Sequence, residues 1–425
     1  MRKISAWLLL ALLTGLAGKN RLQAQMPDVT AHWVSVWGTA VFEPMHFPGM
    51  PAAPALTETT IRMIVRPTAG GAKLRVRLSN AFGKTPLRIG AATIAVSDEG
   101  AKIKSGSSRV LTFGGRPEVV IPPGAPVVSD VVNFQTAPLE SLAVSIYLPN
   151  GSPVSTWHEL AKHDSYLAGP GDQTAKADLP NAEKRRAWFF LAELDAWVPA
   201  NVTTTVAFGD SITDGDGDRA HSEKNWPDQL AERLVAIHTG APIAVVNEGI
   251  SGNRVLHDAA GVSALMRLDS DLLSQPGVKN LIVLEGINDI GFPRVRFDLS
   301  KMPKGFKMPD LASEKVSAAE IVQGLQQIVV RAHEHGIRVF GATLTPFEGT
   351  NSYDAEGEAI RQEVNRWIRT SGVYDGVIDF DALVRDPEHP TRIRKEYDSG
   401  DHIHPSPDGY KAMADAIPVE KLRGK

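Results

Sequence analysis

The chain has 425 residues, enough for two domains, and its 43% hydrophobic and 22% charged residues are the balance of an ordinary folded protein. A net charge of −4, with acids and bases interspersed, excludes a nucleic-acid footprint and a polybasic membrane surface. The absence of cysteine excludes disulfides, thiolate catalysis, cysteine-based zinc sites and a cysteine-linked lipid anchor.

The first 24 residues have the pattern of an export signal. Arg2 and Lys3 precede an apolar run from Trp7 to Leu16, about ten residues and too short to cross a bilayer. Leu22-Gln23-Ala24 offers a small-residue cleavage site, with Gly15-Leu16-Ala17 competing. The expected location is therefore secreted or periplasmic, the alternative being an uncleaved anchor. No later segment is apolar enough for stable membrane insertion.

Residues 30–197 read as an all-β sandwich domain. Lys73 to Leu78 alternates polar and apolar side chains, as do the sets Ile61, Met63, Val65 and Leu142, Val144, Ile146, Leu148. Gly and Pro clusters such as Pro122-Pro123-Gly124 separate these short runs.

The pattern changes near Asn201, and residues 201–421 form the second expected domain. Buried-strand runs at 204–208, 243–246, 281–284, 339–344 and 377–378 alternate with amphipathic helices. One helix starts at Ser317, which forms a capping box with Glu320, presents Ile321, Leu325, Ile328, Val329 and Ala332 on one face, and ends at Gly336. Another carries Ile360, Val364, Trp367 and Ile368. This alternation predicts a parallel sheet covered on both faces, which binds ligands beyond the carboxyl ends of its strands.

Polar clusters stand at those ends. They are Gly209-Asp210-Ser211, then Asn247 to Asn253, then Gly286-Ile287-Asn288-Asp289, and near the C-terminus Asp401-His402-Ile403-His404-Pro405. Each alone has an ordinary reading as a turn, a helix cap or an open backbone position. Together they supply what acyl transfer requires: a hydroxyl, an imidazole, a carboxylate and convergent donors.

These four ordered blocks resemble those of the SGNH/GDSL hydrolases, whose marker residues are Ser, Gly, Asn and His. The resemblance extends over residues 204–417. It implies an α/β class protein with a flavodoxin-like three-layer α/β/α hydrolase domain behind the β-sandwich domain. It also implies Ser211 as nucleophile, with Asp401 and His404 completing the triad. The oxyanion hole would be the backbone N–H groups of Ser211 and Gly252 and the Asn288 amide. Each such donor is worth about a hundred- to thousandfold in rate. His404 is favoured over His402 because it lies three residues after Asp401 and precedes Pro405.

The stretches 341–347 and 377–381 are similar to secreted acetylxylan-esterase-like members with an N-terminal β domain. The implied function is a serine esterase for O-acyl, foremost O-acetyl, esters on small molecules or polysaccharides, with no cofactor and no metal. Two alternatives remain: a lipase or lysophospholipase of the same superfamily, and a carbohydrate-binding surface protein with an inactive hydrolase domain. No Gly-x-Ser-x-Gly elbow occurs. Asp214-Gly215-Asp216-Gly217-Asp218 hints at a calcium loop, but Arg219 and Asn225 stand where that motif needs Gly and Glu, so a solvated turn is expected. His333 and His335 are expected to complement a helix dipole rather than bind metal. The insertion 291–316, with Phe292, Phe297 and Phe306, and the polar loop 346–355 are expected to border the substrate. EDTA should leave esterase turnover unchanged; inhibition reversed by calcium or zinc would contradict the metal-free reading.

Overall fold

The computed structural model describes residues 30–45, 53–54, 56–218, 223–238, 240–296 and 310–424. The expected signal segment 1–24 lies outside them, as do residues 297–309 of the 291–316 insertion.

The N-terminal part is built of antiparallel sheets. One has five strands, running Ala31–Gly38, Leu191–Pro199, Gly71–Ser79 and Pro126–Val128, with Val132–Thr136 also paired to Gly71–Ser79. A six-stranded sheet has Thr59–Val65 and Leu142–Leu148 at its centre. The alternating residues face one another across that pair: Val65 opposes Leu142, Met63 opposes Val144 and Ile61 opposes Ile146. Together with Leu74, Val76 and Leu78 of the other sheet they form one buried core. Period-two patterning puts this set on the sandwich core, while the other face of the central pair is covered as well, with Ile64 and Ala143 in a smaller second cluster.

The C-terminal part holds the parallel sheet: β1 (Thr203–Gly209), β2 (Ile243–Gly249), β3 (Val278–Leu284), β4 (Arg338–Ala342) and β5 (Gly376–Ile378). The order 2-1-3-4-5 is the flavodoxin-like one, with β1 at the switch point. The helices are α1 (Ser211–Asp214), α2 (Trp226–Ala236), α3 (Ile287–Gly291), α4 (Ala318–Glu334), α5 (Ala355–Thr370) and α6 (Pro407–Ala416). Helices α2 and α6 pack together, as do α4 and α5, giving three layers around one core. The capping box of α4 is present: Ser317 N–H donates to Glu320 Oε2 at 2.8 Å, and Glu320 N–H donates to Ser317 Oγ.

β2 is an edge strand of the parallel sheet, and the N-terminal part covers it. Thr68 Oγ1 bridges Val36 O and Val245 O and accepts the Val245 N–H at 2.9 Å. Thr204 Oγ1 donates to Ser35 O at 2.7 Å. The edge groups are thereby withheld from pairing with another chain.

Between β2 and β3, Arg267 is buried. Its guanidinium donates to Gly209 O at 2.9 Å and Glu248 O at 2.7 Å, the carboxyl ends of β1 and β2. It also reaches Asn253 Oδ1 and Asp271 Oδ2, and lies 3.9 Å from the centre of the Phe208 ring. Arg267→Met should therefore destabilise the protein by about 3–5 kcal/mol, measured by chemical denaturation, since Asp271 Oδ2 and Glu248 O lose a buried charged donor and Gly209 O keeps only the Ile250 N–H. A loss under about 1 kcal/mol would show that the guanidinium is dispensable.

Candidate active site

The four clusters meet at the carboxyl edge of the sheet. Asp210 caps α1, its Oδ1 accepting the Ile212 N–H at 2.9 Å, so Ser211 becomes the first residue of a short helix directly after β1. Burial pushes the Asp210 carboxyl up to about 7, against the pull of the Ile212 N–H and of His404. Ser211 Oγ lies 2.8 Å from His404 Nε2, and His404 Nδ1 lies 2.8 Å from Asp401 Oδ2. Asp401 Oδ1 also accepts the N–H groups of Ile403 and His404, which clasps the whole turn.

Burial alone would lower the His404 pKa. The hydrogen bond to Asp401 and the charges of Asp216, Asp401 and Asp210 outweigh it and hold the ring above its ordinary value. Burial likewise opposes ionisation of Asp401, but the bond and charge of His404 hold its carboxyl well below the usual range.

A cavity of about 490 Å3 opens over this set, lined by Ser211, Gly252, Asn288 and His404 together. Gly252 sits at φ +85°, where a side chain is strained, and an added Cβ would come within 3.0 Å of Ala260 and 3.2 Å of Phe292. Asn288 Nδ2 donates one hydrogen to Asn253 O at 3.0 Å and keeps a second for the cavity. All five residues picked from the sequence therefore converge. The loop 346–355 also lines the cavity, through Phe347, Gly349, Thr350, Asn351 and Ser352, and Phe292 and Val295 come from the described start of the 291–316 insertion.

His402 stands apart. Its side chain is 52% exposed against 18% for His404, and it pairs with Asp398 instead, Nδ1 to Oδ2 at 2.7 Å. Its backbone takes φ +70°. One turn thus carries two Asp–His pairs, and only one reaches the serine.

One expectation is overturned. The Asp214-to-Asp218 run is no solvated turn: Asp214 and Asp218 are buried, and Lys162 and His158 of the N-terminal part reach Asp214. Among the described residues no group of three or more His, Asp or Glu is placed to hold a metal ion. Two supporting roles had no distinct sequence signal, one of them that of Asp289 inside the third cluster. Asp289 accepts the N–H groups of Val255 and Leu256 at 2.7 and 3.0 Å and so secures the loop after Gly252. Arg267 orients Asn253, whose carbonyl holds Asn288.

Residues 207–412, just under half of the chain, match the GDSL-like lipase/acylhydrolase family. Among solved structures, the chain is similar to a putative lipolytic protein of the G-D-S-L family from Desulfitobacterium hafniense, at 21% identity and TM-score 0.36, covering 50% of this chain and 97% of that one. It is similar to the aryl esterase of M. smegmatis, at 17% identity and TM-score 0.38, covering 52% and 99%. It is also similar to Est24, a carbohydrate acetylesterase from Sinorhizobium meliloti, at 17% identity and TM-score 0.37, covering 52% and 99%. No curated protein matches the chain.

His404→Ala should lower kcat on a small ester as far as losing Ser211 does, whereas His402→Ala should retain most of it. The base must be neutral to accept a proton, and its pKa is raised. The acid limb of kcat/KM should therefore lie above the ordinary imidazole value of about 6.5. An inert His402→Ala beside an active His404→Ala would move the base to the other pair.

Proposed function

We propose that this chain, whose residues 207–412 belong to the GDSL-like lipase/acylhydrolase family, is an exported serine esterase that removes small acyl groups, foremost acetyl, from carbohydrate hydroxyls through a Ser211 acyl-enzyme. That the protein is a carboxylic ester hydrolase follows from the family. The finer reading is carried by one observation: an unbroken relay in which Ser211 Oγ, His404 and Asp401 are joined at 2.8 Å at each step.

In this reading His404 Nε2 takes the Ser211 proton as Oγ attacks the ester carbonyl. The carbonyl oxygen becomes an oxyanion and accepts hydrogen bonds from the N–H groups of Ser211 and Gly252 and the second Asn288 hydrogen. His404 returns its proton to the leaving alcohol oxygen as the C–O bond breaks. A water molecule then gives a proton to His404, attacks the acyl-enzyme and releases the acid and Ser211. Asp401 holds the ring with its proton on Nδ1 and stabilises the imidazolium.

A carbohydrate alcohol is favoured by the polar side of the cavity, where Asp216, Thr350, Asn351 and Ser352 supply hydrogen-bonding groups for hydroxyls. The apolar lining residues Ile287, Phe292 and Val295 suit an acyl group, and their apolar character is what favours the lipase alternative. Among the described residues no helix is long and apolar enough to cross a membrane. Export rests on the basic start and apolar run of residues 2–16.

Ser211→Ala should abolish turnover of an aryl acetate while the protein stays folded, and a serine-directed phosphonate should label Ser211 alone. On a panel of acetylated xylo-oligosaccharides, short aryl esters and long-chain lipid esters, kcat/KM should be highest on an acetyl ester. Fastest turnover of the long-chain esters would replace this reading with the lipase one.

A further inference from the structure

The loop following α1 touches three parts of the proposed machinery at once. Gly215 N–H and Asp216 N–H both donate to Ser211 O, at 2.8 and 2.9 Å. Gly217 passes so close to the histidine turn that a Cβ there would lie 2.4 Å from Pro405 O and 3.0 Å from His404 Cβ. Ser251 Oγ, one residue before Gly252, sits 2.7 Å from Asp214 Oδ2 and 2.8 Å from Asp216 Oδ2. Tyr410 of α6 donates its hydroxyl to Asp216 O.

Two carboxylates around one hydroxyl, with a single proton between them, repel each other once taken out of water. The opposing charge comes from outside the hydrolase part. Lys162 is buried, its side chain 6% exposed, and its Nζ lies 2.8 Å from Asp216 Oδ1 and 3.8 Å from Asp214 Oδ1. His158, from the same segment, places Nε2 3.3 Å from Asp214 Oδ1 and Nδ1 2.8 Å from Ala40 O.

We propose that Lys162 is a positioning residue of this esterase: its ammonium binds the Asp214–Asp216 loop, and so sets Ser211, His404 and the Gly252 loop in register, making the N-terminal β part a component of the active site. The inference rests on the assignment of Ser211 and His404 above. Burial works against the charged forms here, yet the lysine pKa is raised by Asp214, Asp216 and Asp218, and the Asp214 carboxyl is lowered to about 2 by Lys162 and His158. Asp214 and Lys162 hold each other ionised.

The arrangement has an electrostatic consequence. The charged groups facing His404 are Asp401 on its own turn and Asp210 and Asp216 on either side of α1, with Tyr410 of α6 beside Asp216. Those facing Lys162 are Asp214, Asp216 and Asp218, and its neighbour His163 is paired with Glu223, which also binds Arg66. Lys162 therefore shields His404 from the Asp216 charge. Removing the ammonium exposes that charge, which favours the imidazolium and moves the acid limb of kcat/KM to higher pH.

The test uses the full chain and an aryl acetate. Lys162→Met should fold, lower kcat about ten- to a hundredfold with KM little changed, and shift the acid limb to higher pH. Asp216→Asn should shift the limb to lower pH, and Lys162→Met with Asp216→Asn should bring it back towards that of the unmodified protein. A folded Lys162→Met with unaltered kcat and an unmoved limb, or an effect confined to KM, overturns the proposal. If Lys162→Met does not fold, Asp216→Asn decides: an unmoved limb overturns it and a limb at lower pH supports it. Ser211→Ala separates the two assignments. Turnover by the folded serine variant defeats the triad itself, whereas an inert serine variant beside a normal Lys162→Met defeats only the role of the lysine.

Discussion

The guanidinium of Arg267 is the joint on which the site depends. A parallel sheet leaves the last carbonyls of its strands unpaired at the end where ligands bind, and buried carbonyls need donors. Arg267 supplies one to Glu248 O and adds a second to Gly209 O, which also accepts the Ile250 N–H at 3.0 Å, so the ends of β1 and β2 stay together at the point where Ser211 and the Gly252 loop depart. The same group orients Asn253, which holds Asn288. The strand before Ser211, the Gly252 loop and the Asn288 amide are thus referred to one rigid fork of donors, the geometry that arginine offers and lysine does not.

The N-terminal part meets this assembly from the side. It covers the edge strand β2 through Thr68 and places Lys162 and His158 against the loop behind Ser211. A hydrolase sheet with β2 at its edge has one exposed flank, and here that flank and the acidic loop are closed by the same neighbouring body. The sandwich is therefore not a passenger in the physical sense: it satisfies backbone groups and charges that belong to the hydrolase part.

Electrostatics sort the two histidines. Both have an aspartate at one ring nitrogen, Asp401 for His404 and Asp398 for His402. Only His404 is withdrawn from solvent among Asp216, Asp401 and Asp210, and only its far nitrogen meets a hydroxyl. The pairing motif alone is common to both; position relative to Ser211 is what separates them.

The sequence by itself determined what depends on neighbours along the chain. Alternation at Ile61, Met63 and Val65 meant a strand with those residues on one face, the Ser317–Glu320 box meant a helix start, and four ordered blocks named the residues that now converge on one cavity. Such signals are local, because hydrogen-bond periodicity and capping act within a few residues. The tertiary structure alone decided the fate of Asp214 to Asp218. Read along the chain, acids between glycines belong in water; in the fold Asp214 and Asp218 are buried, and Asp214 and Asp216 meet Lys162, about fifty residues earlier in the chain, in a loop between two strands of the N-terminal part. It alone tied Arg267 to the ends of two strands. Whether a charge is buried depends on the partner it meets, and that partner is chosen by packing between distant segments, which no local pattern encodes.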